Sequence, residues 1–187
     1  PLRRQRQMCI RDRSRGEPVS DTAKVASSML DVIALRVDKH ETLEMFAANS
    51  SVPVINALSD LSHPCQILAD LMTFKENSAN ELEKVCWIGD GNNVCNSYVE
   101  ASKILDFELS IYCPKEYSPD PSFLNYAKEN SSFANSREEA AKGADIITTD
   151  VWVSMGDEKT KERAFQGYFV DTGLIENTGK ELSLIHI

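Results

Sequence analysis

Val85-Cys86-Trp87-Ile88-Gly89-Asp90-Gly91-Asn92-Asn93 is the stretch on which the fold turns. Four apolar residues in a row end at two glycines spaced by one position, and an amphipathic run of helical length follows to about residue 105. A short, uninterrupted apolar run bounded by glycine reads as a strand, and the amphipathic run of helical length reads as a helix after it. Strand, glycine turn and helix form the opening half of a βαβ unit, which implies a parallel sheet. The next strand is Leu109-Ser110-Ile111-Tyr112-Cys113, followed by a loop over 114–121 with three prolines.

Outward from this centre the same alternation recurs. Helices are expected at about 122–128, at 137–142 and, more polar, at 158–166, with the strand Asp145-Ile146-Ile147-Thr148-Thr149 between the last two. On the N-terminal side, Ser20 can cap a helix over 21–30. Asp31-Val32-Ile33-Ala34-Leu35-Arg36 then reads as a strand ending in a cation, 40–48 as a helix and Val52-Pro53-Val54-Ile55-Asn56 as a short strand. A helix from Pro64 to about residue 75 has proline in its first turn, where the missing N–H costs nothing. The polar stretch 76–83 is the expected domain boundary. The expected fold class is therefore α/β, with two partial domains, each a parallel sheet flanked by helices and with ligand-binding loops at the carboxyl ends of its strands.

Composition narrows the function. The chain has 187 residues, 42% of them hydrophobic, and no window approaches the length of apolar sequence a membrane helix needs. The net charge is −9, although Arg3, Arg4, Arg6, Arg11 and Arg13 all fall at the start, so the body is more acidic still. Such a surface opposes nucleic acid and anionic lipid, which need a basic stripe. Five scattered cysteines with no Cys-x-x-Cys pair signal neither a disulfide framework nor a zinc site, and they point to a reducing, cytoplasmic setting. The two ends share no periodicity with the body. The DNA sequence CTG TCT CTT ATA CAC ATC would translate to Leu182-Ser183-Leu184-Ile185-His186-Ile187. The reverse complement, shifted in frame, encodes Met8-Cys9-Ile10-Arg11-Asp12. Residues 1–13 and 182–187 are therefore expected to be adapter-like, non-native sequence.

Three loops after expected strands carry the chemistry. Arg36 and the segment His63-Pro64-Cys65-Gln66 suit a small anion bearing a carbonyl: the guanidinium can grip phosphate, His63 can donate to a carbonyl, and Gln66 can read an amide. Taken alone, a histidine in the position of His63 is more often an ordinary polar cap on the helix it introduces. Gly89-Asp90-Gly91-Asn92-Asn93 begins like a dinucleotide fingerprint, but position 94 is Val94 rather than glycine and the next strand ends without an acid for a ribose. It is also readable as a plain turn with Asn93 as helix cap. In Asp150-Val151-Trp152-Val153-Ser154-Met155-Gly156, Asp150 could neutralise an ammonium and Ser154 could meet a carboxylate, which fits an amino acid's head group; a solvated strand end is the alternative.

At these three segments the chain resembles the ornithine carbamoyltransferases of the aspartate/ornithine carbamoyltransferase superfamily, over a span from about Arg15 to Gly167. His63-Pro64-Cys65-Gln66 is similar to the carbamoyl phosphate signature of the superfamily; the other two segments are similar to its ornithine-side motifs. The resemblance implies that Arg36, His63 and Gln66 bind carbamoyl phosphate, with Arg36 and His63 acting on the reacting carbonyl. It also implies that Asn93, Asp150, Ser154 and Met155 hold ornithine, without metal or cofactor. Residues 14–79 would be part of a carbamoyl phosphate domain and 80–181 part of an ornithine domain, within a homotrimeric parent. Its Ser-Thr-Arg-Thr and His-Cys-Leu-Pro loops have no counterpart in this sequence, so the chain as given is expected to be inactive. A carbamoyltransferase for putrescine or a modified ornithine, and a non-catalytic anion- or nucleotide-binding module, are the competing readings.

Overall fold

In the computed structural model, residues 17–152, 159–176 and 178–179 are described. The chain divides into two compact units, one up to Ser59 and one from Asp60 onward. The first contains helix α1 (Val19–Ser27), strand β1 (Ile33–Arg36), helix α2 (His40–Asn49) and strand β2 (Val54–Leu58). The strands are parallel, with Ile33 opposite Val54 and Leu35 opposite Asn56; the register slips between Leu35 and Arg36, which faces Leu58. Ala23, Ile33 and Phe46 form the buried centre, so one residue comes from each of α1, β1 and α2. Ser27, buried in α1, donates to the Ala23 carbonyl and pairs with Ser50 at 2.9 Å, which ties α1 to the end of α2.

The Ser20 cap is not formed. Helix α1 starts at Val19 behind Pro18, with no side-chain cap, because the Pro18 carbonyl takes the N–H groups of Asp21 and Thr22 and the ring presets φ. β2 also lies two residues later than its expected position, since Val37 N–H pairs with Leu58 O and draws the strand forward.

The second unit is built on a four-stranded parallel sheet in the order β5-β4-β3-β6. Its strands are β3 (Lys84–Ile88), β4 (Glu108–Tyr112), β5 (Ser131–Phe133) and β6 (Ile146–Thr148), and its helices are α3 (Pro64–Asn77), α4 (Asn93–Leu105), α5 (Pro121–Tyr126), α6 (Arg137–Ala141) and α7 (Thr172–Glu176). β3 is central, and the strand period of two sends its side chains to both faces. Val85 and Trp87 join the core formed with Ile67 and Phe74 of α3 and Val94, Cys95, Tyr98 and Val99 of α4; Cys86 and Ile88 join Ala140, Ala141 and Leu174 on the other side. A run apolar at every position is what such double burial requires. Leu109 and Ile111 are likewise wholly buried, each contributing about 2–3 kcal/mol relative to exposure.

Compactness divides the chain before α3, whereas composition changes after it, because Ile67 and Phe74 share the second unit's core. The start of the sheet is stapled by Asp145, whose Oδ2 accepts from the N–H groups of both Glu83 and Lys84 at 2.9 Å. The expected polar helix at 158–166 is a 3₁₀ segment, Lys159–Phe165. β5 and α7 carry no clear pattern in the sequence: β5 is a three-residue edge strand that exists by pairing Leu109 with Ser131 and Ile111 with Phe133.

Candidate functional site

The turn after β3 is built tightly. Gly89 has φ +133°, a conformation that a side chain would strain, and its N–H donates to Tyr112 O. At Gly91 the demand is for space. A Cβ there would lie 2.3 Å from Pro119 N and 2.5 Å from Tyr117 O, and Gly91 N–H donates to that carbonyl at 2.8 Å. The close approach permitted by the second glycine is therefore made to the chain's own 3₁₀ turn, Lys115–Tyr117, and the N–H that a dinucleotide phosphate would use is engaged. This argues against the nucleotide-binding reading. Between the glycines, Trp87 Nε1–H donates to Asp90 O at 3.0 Å, and the nearly buried Asp90 carboxylate pairs with Lys161, whose ammonium also lies 5.0 Å from the Tyr117 ring centre.

Helix α4 is capped by Asn92 and not by Asn93. Asn92 Oδ1 accepts from Val94 N–H at 3.0 Å and Cys95 N–H at 3.2 Å, and its Nδ2 donates to Asp150 Oδ2 at 2.8 Å. One side chain thus closes the helix end with its acceptor and holds Asp150 with its donor. Asp150 Oδ1 accepts from Val151 N–H at 2.8 Å, so this carboxylate, just beyond β6, is a held group and not a freely solvated strand end.

One helical turn into α4, buried Ser97 links two of the loops. His63 N–H donates to Ser97 Oγ at 2.7 Å, and Ser97 Oγ–H donates to Asn93 O at 3.0 Å. Its neighbour Asn96, also buried, donates to Leu61 O at 3.0 Å and accepts from Asp120 N–H at 2.9 Å. These two residues seat the segment before α3 against the start of α4, which places His63 beside Asn93. His63 occupies the cap position of α3 without a side-chain cap bond, so its imidazole is not committed to the helix.

Gln66, in the first turn of α3, donates from Nε2 to Asp70 Oδ1 at 2.9 Å, and Tyr98 of α4 donates its hydroxyl to Asp70 Oδ2 at 2.7 Å. Burial pushes the Asp70 carboxyl up from its ordinary value, while the bonds from Tyr98 and Gln66 and the charge of His63 oppose that shift. Burial, followed by the Asp70 charge, pushes the Tyr98 phenol up as well.

His63, Gln66, Asn93 and Asp150 therefore stand on one connected frame in the second unit, each half-buried. Arg36 is in the first unit, exposed at the end of β1. Ser154 and Met155 lie outside the described residues. The sequence reading missed Asn92, Ser97, Asp70 and Tyr98. Only Gln66 and Asp70, four apart on one helix face, left a local signal; Ser97 and Tyr98 acquire their roles from the packing of α3 on α4. Among the described residues no group of three or more metal-ligating side chains gathers, and no helix is long and apolar enough to cross a membrane.

Residues 82–187 match the family model described as aspartate/ornithine carbamoyltransferase, Asp/Orn binding domain, and residues 2–76 match its carbamoyl-P binding domain. The chain is 46% identical over 176 residues to an ornithine carbamoyltransferase of Halorhodospira halophila, covering 92% of this chain and 59% of that protein. It is 46% identical to an anabolic ornithine carbamoyltransferase of Pseudomonas savastanoi, with 92% and 58% covered. The crystal structure of an anabolic ornithine carbamoyltransferase from Campylobacter jejuni superposes with a TM-score of 0.82 at 42% identity, over 89% of this chain and 59% of that one. The ornithine carbamoyltransferase from Pyrococcus furiosus gives 0.78 at 39% identity, over 87% and 55%. The chain thus spans less than two thirds of the length of the relatives it matches.

Proposed function

The chain belongs to the aspartate/ornithine carbamoyltransferase family, and from that premise we propose that the full-length protein transfers the carbamoyl group of carbamoyl phosphate to the δ-amine of L-ornithine, giving L-citrulline and phosphate in the biosynthesis of arginine. The observation that supports this reading is the frame that runs from His63 through Ser97 to Asn93 and from Asn92 to Asp150, because it joins the segment carrying His63 and the loop carrying Asp150 to the same helix end. The names of the relatives at 44–48% identity support ornithine as the acceptor.

In this reading Arg36, His63 and Gln66 bind carbamoyl phosphate, and Asn93, Asp150, Ser154 and Met155 bind ornithine. Asp150 counters the α-ammonium, and Ser154 meets the carboxylate. The neutral δ-nitrogen attacks the carbonyl carbon. His63 and Arg36 donate to the oxygen as negative charge develops, the C–O bond to phosphate breaks, and the proton lost by nitrogen leaves with the phosphate. Alignment of two small reactants and fixed donors at the developing oxyanion supply the acceleration, and the reaction as written needs neither metal nor cofactor. Residues 14–79 form part of the carbamoyl phosphate domain and 80–181 part of the ornithine domain of a cytoplasmic homotrimer.

The test is citrulline formation by the protein encoded by the uninterrupted gene, with putrescine offered as a competing acceptor. Citrulline as the dominant product supports the proposal; carbamoylation of putrescine in preference, or no transfer to either amine, overturns it. The 187-residue chain, which lacks the Ser-Thr-Arg-Thr and His-Cys-Leu-Pro segments, forms no measurable citrulline on the same reading.

A further inference from the structure

We propose that Asp70 is a positioning residue that sets the donor specificity of the site, by holding one N–H of the Gln66 amide so that its carbonyl oxygen stays turned to the ligand, and thereby selects a carbamoyl group over an acyl group of the same shape. This inference rests on the reading of Gln66 as a carbamoyl phosphate residue and adds to it how that residue tells an NH₂ from a CH₃.

An amide side chain is ambiguous by itself, since one end donates and the other accepts, and a half-turn exchanges them. Here the ambiguity is removed from behind. Asp70 sits four residues along the same helix, only 4% exposed, and an ionised carboxylate can only accept. Tyr98 donates to its Oδ2 at 2.7 Å, and the remaining oxygen, Oδ1, lies 2.9 Å from the Gln66 amide nitrogen. Turning the amide over would put two acceptors face to face in a buried position, a loss larger than an ordinary hydrogen bond. Gln66 therefore keeps Oε1, beside its second N–H, as the acceptor it can offer a ligand.

An acceptor held in a half-buried place discriminates sharply. The NH₂ of a carbamoyl group satisfies it, whereas the methyl of acetyl phosphate, otherwise the same size and shape, covers it and leaves it unpaired. Tyr98 serves at one remove. It is wholly buried, its ring lies 5.8 Å from that of Trp87, and its hydroxyl secures the carboxylate that secures the amide.

The experiment measures, by calorimetry on the full-length protein at neutral pH without ornithine, the ratio of affinities for carbamoyl phosphate and acetyl phosphate. The unaltered protein is expected to prefer carbamoyl phosphate by about tenfold. In Asp70→Asn, the Tyr98 hydroxyl bonds to the new amide oxygen and the new NH₂ faces Gln66. Gln66 then turns over, its donor points outward, and the preference falls to within about twofold. The double variant Gln66→Glu/Asp70→Asn restores an outward acceptor, because the new asparagine donates to the new glutamate, and the preference returns. Every hydrogen bond of the triad is satisfied in the double variant, so it reports even where the single variant fails to fold. A merely structural Asp70 would give no such recovery. The inference is overturned if the unaltered protein shows no preference, if Asp70→Asn keeps the full preference, or if the double variant does not regain it. Failure to bind carbamoyl phosphate at all overturns the functional proposal and this inference together; tight binding with a ratio indifferent to Asp70→Asn overturns only this one.

Discussion

Replacing Gly91 by alanine tests whether the turn after β3 is shaped by contact with the chain itself. The added Cβ would stand 2.3 Å from Pro119 N, 2.5 Å from Ser118 C and 2.5 Å from Tyr117 O, all backbone atoms, where ordinary contact begins near 3.4 Å. The opposing segment has little freedom to retreat: Pro119 is wholly buried, Tyr117 N–H is bonded to Pro114 O, and Asp120 N–H is bonded to Asn96. Relieving the overlap takes a backbone shift of about 1 Å, with an overpacking cost of about 1–3 kcal/mol. The loss of the Gly91 N–H to Tyr117 O bond adds about 1 kcal/mol, for a total of about 2–4 kcal/mol. For a unit of this size that lowers the melting temperature by roughly 10 °C. Gly143→Ala is the matched control. Gly143 has φ +70° but nothing within 4 Å of its would-be Cβ, so it costs only the left-handed penalty of about 1 kcal/mol. Both tryptophans lie in the second unit, and buried Trp87 bonds to the turn itself, so urea denaturation followed by tryptophan fluorescence reads the relevant transition. A Gly91→Ala variant no less stable than Gly143→Ala would refute the steric argument and reopen this turn as a ligand-binding loop.

Four further outcomes are expected. Asn92→Ala removes the α4 cap and the donor that holds Asp150, lowering stability by about 1–2 kcal/mol in the same assay and weakening ornithine binding in the full-length protein; Asn92→Ser should recover part of the stability and none of the ornithine binding. Lys161→Met removes the ammonium that pairs with the buried Asp90 carboxylate and costs about 3 kcal/mol, most of it regained in Asp90→Asn/Lys161→Met, as a double-mutant cycle would read. Because the Asp70 carboxyl is raised in the folded chain, the native state retains that proton where the unfolded state has lost it, and the group's contribution to stability falls as pH rises between the ordinary and the raised value. Urea midpoints from about pH 4 to about pH 7 should therefore drop more steeply in the unaltered chain than in Asp70→Asn; parallel curves would contradict this. Burial pushes the thiols up to about 12 at Cys86 and to about 11 at Cys113, and holds Cys95 well above the ordinary thiol range, so iodoacetamide near neutral pH should modify Cys65 well before these three, as mass mapping of the folded chain would show.

Local sequence was a good guide wherever a pattern reports burial. The apolar run at Val85–Ile88 implied a strand, and in the fold its residues alternate between two cores. Pro64 marked the start of α3 and the glycines marked the turn. The motif His63-Pro64-Cys65-Gln66 carried the family resemblance directly. Where a position depends on a partner distant in the chain, the pattern was silent or misleading. Ser20 has the right chemistry for a cap, but the carbonyl of Pro18 already serves the N–H groups a cap would satisfy. Asn92 and Asn93 are adjacent and chemically identical, so only the direction in which the chain enters α4 selects Asn92 as the cap and as the partner of Asp150, 58 residues away.

By itself, the sequence determined the α/β class, the order of most elements and the residue types able to handle a carbonyl phosphate and an amino acid. These follow from periodicity and side-chain chemistry, which are local. Only the tertiary structure decided which of those residues share a frame: that Ser97 joins His63 to Asn93, that Asp70 and Tyr98 stand behind Gln66, and that the space beside Gly91 is filled by the chain's own backbone. The reason is that a hydrogen bond between α3 and α4 depends on how two helices pack on one sheet, and that packing is set by the shared core of Ile67, Phe74, Trp87 and Tyr98, with no trace in the residues on either side of the bond.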